Sequence, residues 1–162
     1  DVKELTRLEI EHRRSIWHGI QKLRSTPGGD PIFLLQTAPQ LGVRITRTLA
    51  GTHTLTAEEA RTGKRFPDTI GIGGTPAAKQ PGWPIPYGAL LPRKLDGLIA
   101  AGRCISVDEK LLEDMRLIAA CLITGHAAGA AAAVAVQSKC RPRDVDIGKV
   151  QKLLRQQGAF LG

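Results

Sequence analysis

The sequence predicts an α/β fold of mixed α+β character, and three observations carry that expectation. An apolar run, Gly97–Ala101, ends in Gly102; after a loop of about a dozen residues comes an almost uncharged, Ala- and Gly-rich helix reaching Val136. Short runs between residues 32 and 74 have the apolar content and alternation of strands. Helical periodicity marks residues 3–25 and the segment after the Asp144/Asp146 pair. In α/β proteins ligands bind where strands end and helices begin, and a helix N-terminus offers free N–H groups and partial positive charge. Leu95–Val136 is therefore the candidate ligand-facing stretch, although its spacing alone fits any α/β crossover.

The first element is a helix over residues 3–25. Leu5, Leu8, His12, Ile16, Ile20 and Leu23 fall three or four apart, with Trp17 beside the stripe and charges opposite. His12 reads as a packed or hydrogen-bonded side chain. Thr26-Pro27-Gly28-Gly29 stops the helix. Ile32–Thr37 and Val43–Leu49 read as strands, and Gly51–Leu55 continues as strand or turn. Thr56 then opens a short helix as N-cap, with Glu59 at the capping-box position and Gly63 as its end. Phe66–Gly74 is a strand closing in IGIGG. Pro76–Pro92, with five prolines, is loop-like, and Ile85–Leu91 within it is an edge element. A final helix follows Asp146 or Asp144, with Val150, Leu153 and Leu154 as its apolar face and Gly158 as its stop. The segments expected are 1–29, 30–82, 83–140 and 141–162.

Composition limits the function classes. The chain of 162 residues is 42% hydrophobic and 23% charged, enough for a packed core and against wholesale disorder. Net charge is +8 and the pI about 9.9, which invites a nucleic-acid reading. The basic residues are scattered, however (Arg13-Arg14, Lys22, Arg44, Arg47, Lys64-Arg65, Arg93-Lys94, Arg141, Arg143), and no aromatic RNA-binding motif accompanies them. A solvated basic surface is the expectation, with no nucleic-acid partner. Cys104, Cys121 and Cys140 are an odd count at wide spacing, against a disulfide framework or a CxxC zinc site, and the four histidines show no metal-ligand spacing. Nothing at the start of the chain reads as a signal peptide. The longest apolar stretch, Leu117–Val136, is interrupted by Gly125, His126 and Gly129 and reads as a helix packed inside a protein rather than a membrane span. A cytoplasmic location follows.

Chemistry concentrates at the Ala/Gly helix. Gly71, Gly73 and Gly74 superficially resemble a phosphate loop, but no helix follows Thr75-Pro76, so a tight turn is the reading. Asp108, Glu109, Glu113 and Asp114, mixed with Lys110, read as a solvated loop or helical turn. Gly125, Ala128 or Gly129, and Ala132 or Ala133 give the helix a face without bulk, open to a ligand or another helix. Backbone N–H groups near Ala119–Leu122 suit an electron-rich ring edge, the requirement of a reduced flavin.

WPIPYGALLP (83–92), LDGLIAAGRCIS (95–106), MRLIAACLITGHAAGAAAAVAV (115–136) and RPRDVDIGKVQKLLRQQGAFL (141–161) together resemble the C-terminal part of FAD-dependent oxidoreductases of the glutathione-reductase-like superfamily. LLQTAPQLGVRITRTLAGTHTLTAEEA (34–60) and KRFPDTIGIGG (64–74) match the same pattern in order, so the resemblance spans nearly the whole chain. It implies the C-terminal part of a Rossmann-like FAD domain joined to a β-rich substrate or cap segment. It implies FAD as cofactor and hydride transfer with a small-molecule substrate. The cofactor-facing residues it implies are Gly102, Arg103, Cys104, Ile105 and Ser106 at the strand end and Ala119, Ala120 and Cys121 at the helix start. Arg116 would fix the loop before that start. Arg44, Arg47 and Tyr87 are candidates for substrate contact, and no catalytic residue and no metal is assigned.

The sequence also departs from the family pattern. Val107-Asp108-Glu109-Lys110 stands where the family carries Thr or Ser and a His. Ile118-Ala119-Ala120-Cys121 replaces Met-Pro-Thr-Cys, keeping the backbone donors but losing the N1 proline and the hydroxyl. His126 replaces a Gln. The GxGxxG unit for the ADP half of FAD is absent from these residues. The chain is thus expected to be a C-terminal portion, a subunit completed by a GxGxxG-bearing partner, or a relative without the cofactor that serves in assembly.

Overall fold

The computed structural model describes residues 1–74 and 82–162; Thr75, Pro76 and the rest of the loop reading up to Pro81 lie outside the described residues. The chain forms two compact units, Asp1–Arg44 and Ile45–Gly162.

The smaller unit is built on α1, Val2–Arg24, whose N-cap Asp1 accepts the Lys3 amide. Its polar face carries i,i+4 pairs such as Arg13–Glu9. The guanidinium of Arg13 also reaches Thr37 and the carbonyls of Ala38 and Pro39, holding the extended segment that follows back along the helix. No α1 residue is buried, and Leu5, Ile16, Trp17 and Leu23 are exposed. His12 is therefore not the packed residue expected: 44 residues offer the apolar stripe too little to pack against. Neither Ile32–Thr37 nor Val43–Leu49 forms a strand. Apart from Leu49 N–H donating to the Cys104 carbonyl, these runs find no ladder partner among the described residues, and an extended run without one is not a strand.

In the larger unit, Thr56 caps α2 (Ala57–Thr62) in a complete capping box with Glu59, and Gly63 ends it in the left-handed region at φ 63°. Thr69–Gly73 (β1) pairs antiparallel with Trp83–Pro86 (β2), with an irregularity between Thr69 and Gly71. Pro84 and Pro86 are tolerated because among the described residues the sheet has only these two strands, leaving β2 an edge. Tyr87–Leu90 then turns as a 3-10 helix, so the edge element is shorter than Ile85–Leu91 and shifted toward Trp83. After Leu112–Met115 (α3) come the long α4, Ile118–Ser138, and α5, Ile147–Gln156, capped by Asp146. The run Gly97–Ala101 is not the strand expected: Gly97 lies in a bend at φ 72°, and among the described residues the run joins no ladder, although Ala100 donates to the Leu90 carbonyl. The fold is thus mixed helix with one small antiparallel sheet.

Two glycines read as a turn lie instead inside β1. A Cβ on Gly71 would fall 2.3 Å from Ile123 Cγ2, and one on Gly73 would fall 2.8 Å from Trp83 Nε1. The bare Gly71 lets α4 lie directly on the strand, and the bare Gly73 makes room for the Trp83 indole of β2. On its inner side α4 buries Ala120, Thr124, Ala127, Ala131 and Val134; Leu55, Ile70, Ile85, Leu90, Ile105, Met115, Val150 and Leu154 complete the core. Two polar residues thread the segments together. Ser106, 1% exposed, accepts the Gly51 amide and bonds Thr54 Oγ1 through its hydroxyl, while its backbone joins Leu55 and Ala89. Asp108 is no solvated loop residue: one oxygen caps Leu111 N–H at 3.1 Å and the other accepts Ala57 N–H of α2 at 2.8 Å.

Glu59 closes the capping box and binds both His53 Nε2 at 3.0 Å and Lys64 Nζ at 2.7 Å. Burial opposes its ionisation, but the Lys64, Thr56 and His53 bonds outweigh burial and hold its carboxyl at about 2, against the ordinary 4.5. Its stabilisation is complete above the ordinary value and is lost as pH falls from there toward about 2. Thermal melting across that window should show Glu59→Gln with a flatter acid dependence than the parent; equal slopes would reject the linkage. For Gly71→Ala, the clash with Ile123 should cost about 1–3 kcal/mol in denaturant unfolding, and an unchanged midpoint would show that α4 does not need the bare strand.

Candidate functional site

The start of α4 has no side-chain cap, because its N-cap residue is Leu117. Cys121 N–H reaches the Leu117 carbonyl, whereas the amides of Ile118, Ala119 and Ala120 have no partner among the described residues. Such unpaired first-turn donors concentrate the positive end of the helix dipole. Ile118 and Leu122 stand 80% and 67% exposed here, so the donors open beside an apolar surface rather than under side chains.

The turn Gly102–Cys104 packs against this end of the helix. Gly102 lies at φ 74°, the left-handed region that favours glycine, and a Cβ there would meet only Cys121 Sγ, at 3.8 Å. Its N–H donates to Thr124 Oγ1 at 3.0 Å, and that hydroxyl donates in turn to the Ala120 carbonyl at 2.8 Å. Cys121 Sγ points back to the Arg116 carbonyl at 3.6 Å, bridging α3 and α4. Glycine turn and helix start are thus fastened to each other by one buried hydroxyl, while the Cys121 thiol ties the helix start to the end of α3.

Of the expected site residues, the structure brings Gly102, Ala120 and Cys121 together through these contacts. Arg103 and Cys104 are exposed on the turn, and Ala119 is exposed in the first turn of the helix. Arg116 pairs with Glu113, its Nε 2.8 Å from the carboxylate, and so acts on the loop before α4. Ile105 is fully buried and Ser106 nearly so; their side chains serve the core. Tyr87 is also turned inward. Its hydroxyl donates to the Pro142 carbonyl at 2.8 Å, and burial, with Cys140 adding to it, pushes the phenol up to about 12. Arg44 and Arg47 have no hydrogen-bond or ion-pair partner among the described residues.

Thr124, which ties the glycine turn to the helix start, is the residue of this candidate site that sequence reading missed. Its signal was a lone hydroxyl on the buried side of an apolar Ala/Gly helix, where an unpaired polar group is costly and a partner must exist. The outer face of α4 is open: nothing stands within 4 Å of a Cβ on Gly125 or Gly129, and Val136 is 79% exposed. By length and composition α4 is long and apolar enough to cross a membrane, a property shared with core helices of soluble proteins. Among the described residues no group of three or more His, Cys, Asp or Glu is placed to hold a metal ion.

The model of one protein family, described as FAD dependent oxidoreductase, matches residues 1–154. No curated protein and no solved structure matches the chain.

Replacing Thr124 by the isosteric valine removes the only acceptor for the Gly102 amide among the described residues while preserving volume. Thr124→Val should destabilise the unit by about 1–3 kcal/mol and speed hydrogen exchange at Gly102 selectively. Exchange at Gly102 unchanged in the variant would mean the hydroxyl does not hold the turn.

Proposed function

The chain belongs to the FAD-dependent oxidoreductase family, whose cofactor is FAD, and from that premise we propose that it forms the flavin-facing part of such an enzyme. In this reading it is the C-terminal portion or a small subunit of a glutathione-reductase-like oxidoreductase acting on a small-molecule substrate. Residues 83–140 belong to the FAD domain and residues 30–82 to the substrate or cap segment. The observation that carries the reading is the trio of unpaired amides at Ile118–Ala120 beside the left-handed Gly102.

These residues fit an electron-rich planar group. The helix start presents donors with no competing side chain, Gly102 keeps its turn free of bulk, and the exposed Ile118 and Leu122 offer an apolar surface for a ring to pack on. FAD, when bound, supplies exchange of a hydride at its ring with a substrate carbon. The chain's part is to hold and orient. Gly102, Arg103, Cys104, Ala119, Ala120 and Cys121 would line the ring, with Ile105 contributing through backbone and packing. Arg116, paired with Glu113, would position the loop leading into α4. No GxGxxG stands in these residues, so the ADP half is assigned to a second chain or to sequence outside them.

The open apolar face of α4 favours a second reading, an assembly module that packs on a partner without holding FAD. Co-expression with each GxGxxG-bearing candidate partner separates the two. The flavin reading expects a co-purifying complex with visible flavin absorbance; a complex colourless even after FAD is added supports the assembly module and rejects the first. A charge at the helix start gives a sharper test. Ala119→Asp should raise the stability of α4, because a carboxylate suits a helix N-terminus. It should also make the bound flavin harder to reduce, by on the order of 30 mV. A potential that does not move in the negative direction would remove the helix start from the flavin site.

A further inference from the structure

A second cleft, away from the α4 start, lies where the approach to β1 meets α5. It encloses about 490 Å³, a volume suited to a small organic molecule. Its construction follows from local sequence. Gly63 turns the chain out of α2 so that Arg65, Phe66 and Pro67 run along one wall into β1. On the opposite wall, Gln151 Nε2 donates to the carbonyls of Pro67 at 2.9 Å and Thr69 at 3.0 Å, fixing which side of α5 faces the strand. Arg155, one helical turn further on, falls on that same side. Pro84 and Phe160 supply apolar walls, and the backbone of Gly162 borders the rim.

The chemistry of the lining is one-sided. Arg65 and Arg155 line the cleft, and among the described residues no Asp or Glu lines it. Neither Arg65 nor Arg155 has a hydrogen-bond or ion-pair partner among the described residues. This contrasts with Arg7, Arg13, Arg116, Arg141 and Arg143, which are all paired with nearby acids. Unpaired guanidinium groups are suited to carboxylate and phosphate oxygens through forked hydrogen bonds, and Phe66, Pro84 and Phe160 suit an apolar body. We propose that this cleft binds an organic anion, a carboxylate or phosphate monoester carried on an apolar or aromatic group, through Arg65 and Arg155. The site is independent of the flavin reading, because none of its residues belongs to the α4 start.

The test is an NMR titration of the ¹⁵N-labelled full chain with phenyl phosphate, 3-phenylpropionate, inorganic phosphate and the neutral 3-phenylpropanol. Saturable shifts confined to Phe66, Gln151 and Phe160 are expected with one or both aromatic anions, and the stronger of the two identifies the headgroup. Arg65→Gln and Arg155→Gln should each weaken that binding about tenfold, while Arg61→Gln, an exposed α2 residue outside the lining, should leave it unchanged. Both cleft arginines are exposed, so amide dispersion should report intact folds. Equal shifts with the neutral alcohol, equal loss in Arg61→Gln, or no saturable response to either aromatic anion would overturn the proposal. Inorganic phosphate binding as tightly as phenyl phosphate would overturn the apolar half of it.

Discussion

At Gly71 a helix and a strand approach so closely that no Cβ fits between them, and the geometry of the larger unit descends from that approach. With Ile123 seated on bare backbone, α4 lies flat along β1 and buries a line of alanines and Val134. Small residues on both surfaces make the contact short, and a short contact leaves little freedom in the helix direction. The direction matters because the helix start must arrive at the Gly102 turn, where Thr124 completes the connection. A side chain at Gly71 would move the helix start as well as loosen the core.

Local signals were the legible part of this fold. The capping box at Thr56 and Glu59, the left-handed stop at Gly63, the Asp146 cap and the Ala/Gly helix were all readable, because each is decided within a few residues. The strand reading of Phe66–Gly74 holds as β1, Thr69–Gly73, whereas the readings that failed turn on a distant partner that is missing among the described residues or was not foreseen. Ile32–Thr37 is a short apolar run and Val43–Leu49 alternates like a strand, yet such patterns state only which side chains prefer burial and supply no neighbour for the backbone. Gly71 and Gly73 read as a turn because glycine favours both turns and close approaches, and only the position of Ile123 and Trp83 distinguishes them. Asp108 looked like part of a solvated acidic loop because its second partner, the Ala57 amide, lies 51 residues away.

The site shows the same division. Its backbone features, a glycine turn and an uncapped helix start, were visible in sequence as residue types. The side chains that fasten them were less so. Thr124 was overlooked in an apolar helix, and Tyr87, a candidate for substrate, is turned inward to Pro142. Family membership names the cofactor, FAD; the place proposed for it is a surface whose donors and apolar side chains suit an electron-rich ring. The arginines divide along similar lines. Those near Asp96 and Asp144 tie the loop after β2 to the segment before α5, whereas Arg65 and Arg155 are left without acids.

Leu117 at the head of α4 carries a consequence for engineering. Leucine is among the poorest residues at an N-cap, and Ser, Asp or Asn there would return about 1 kcal/mol to a helix of this kind. A consensus-minded stabilisation campaign would select that exchange early, since the position is local and the gain additive. The same oxygen that satisfied the first-turn amides would occupy the donors proposed for the flavin ring. On the proposed flavin reading, thermostability and cofactor affinity therefore pull this one position in opposite directions, and variants chosen by melting temperature alone would drift away from flavin binding.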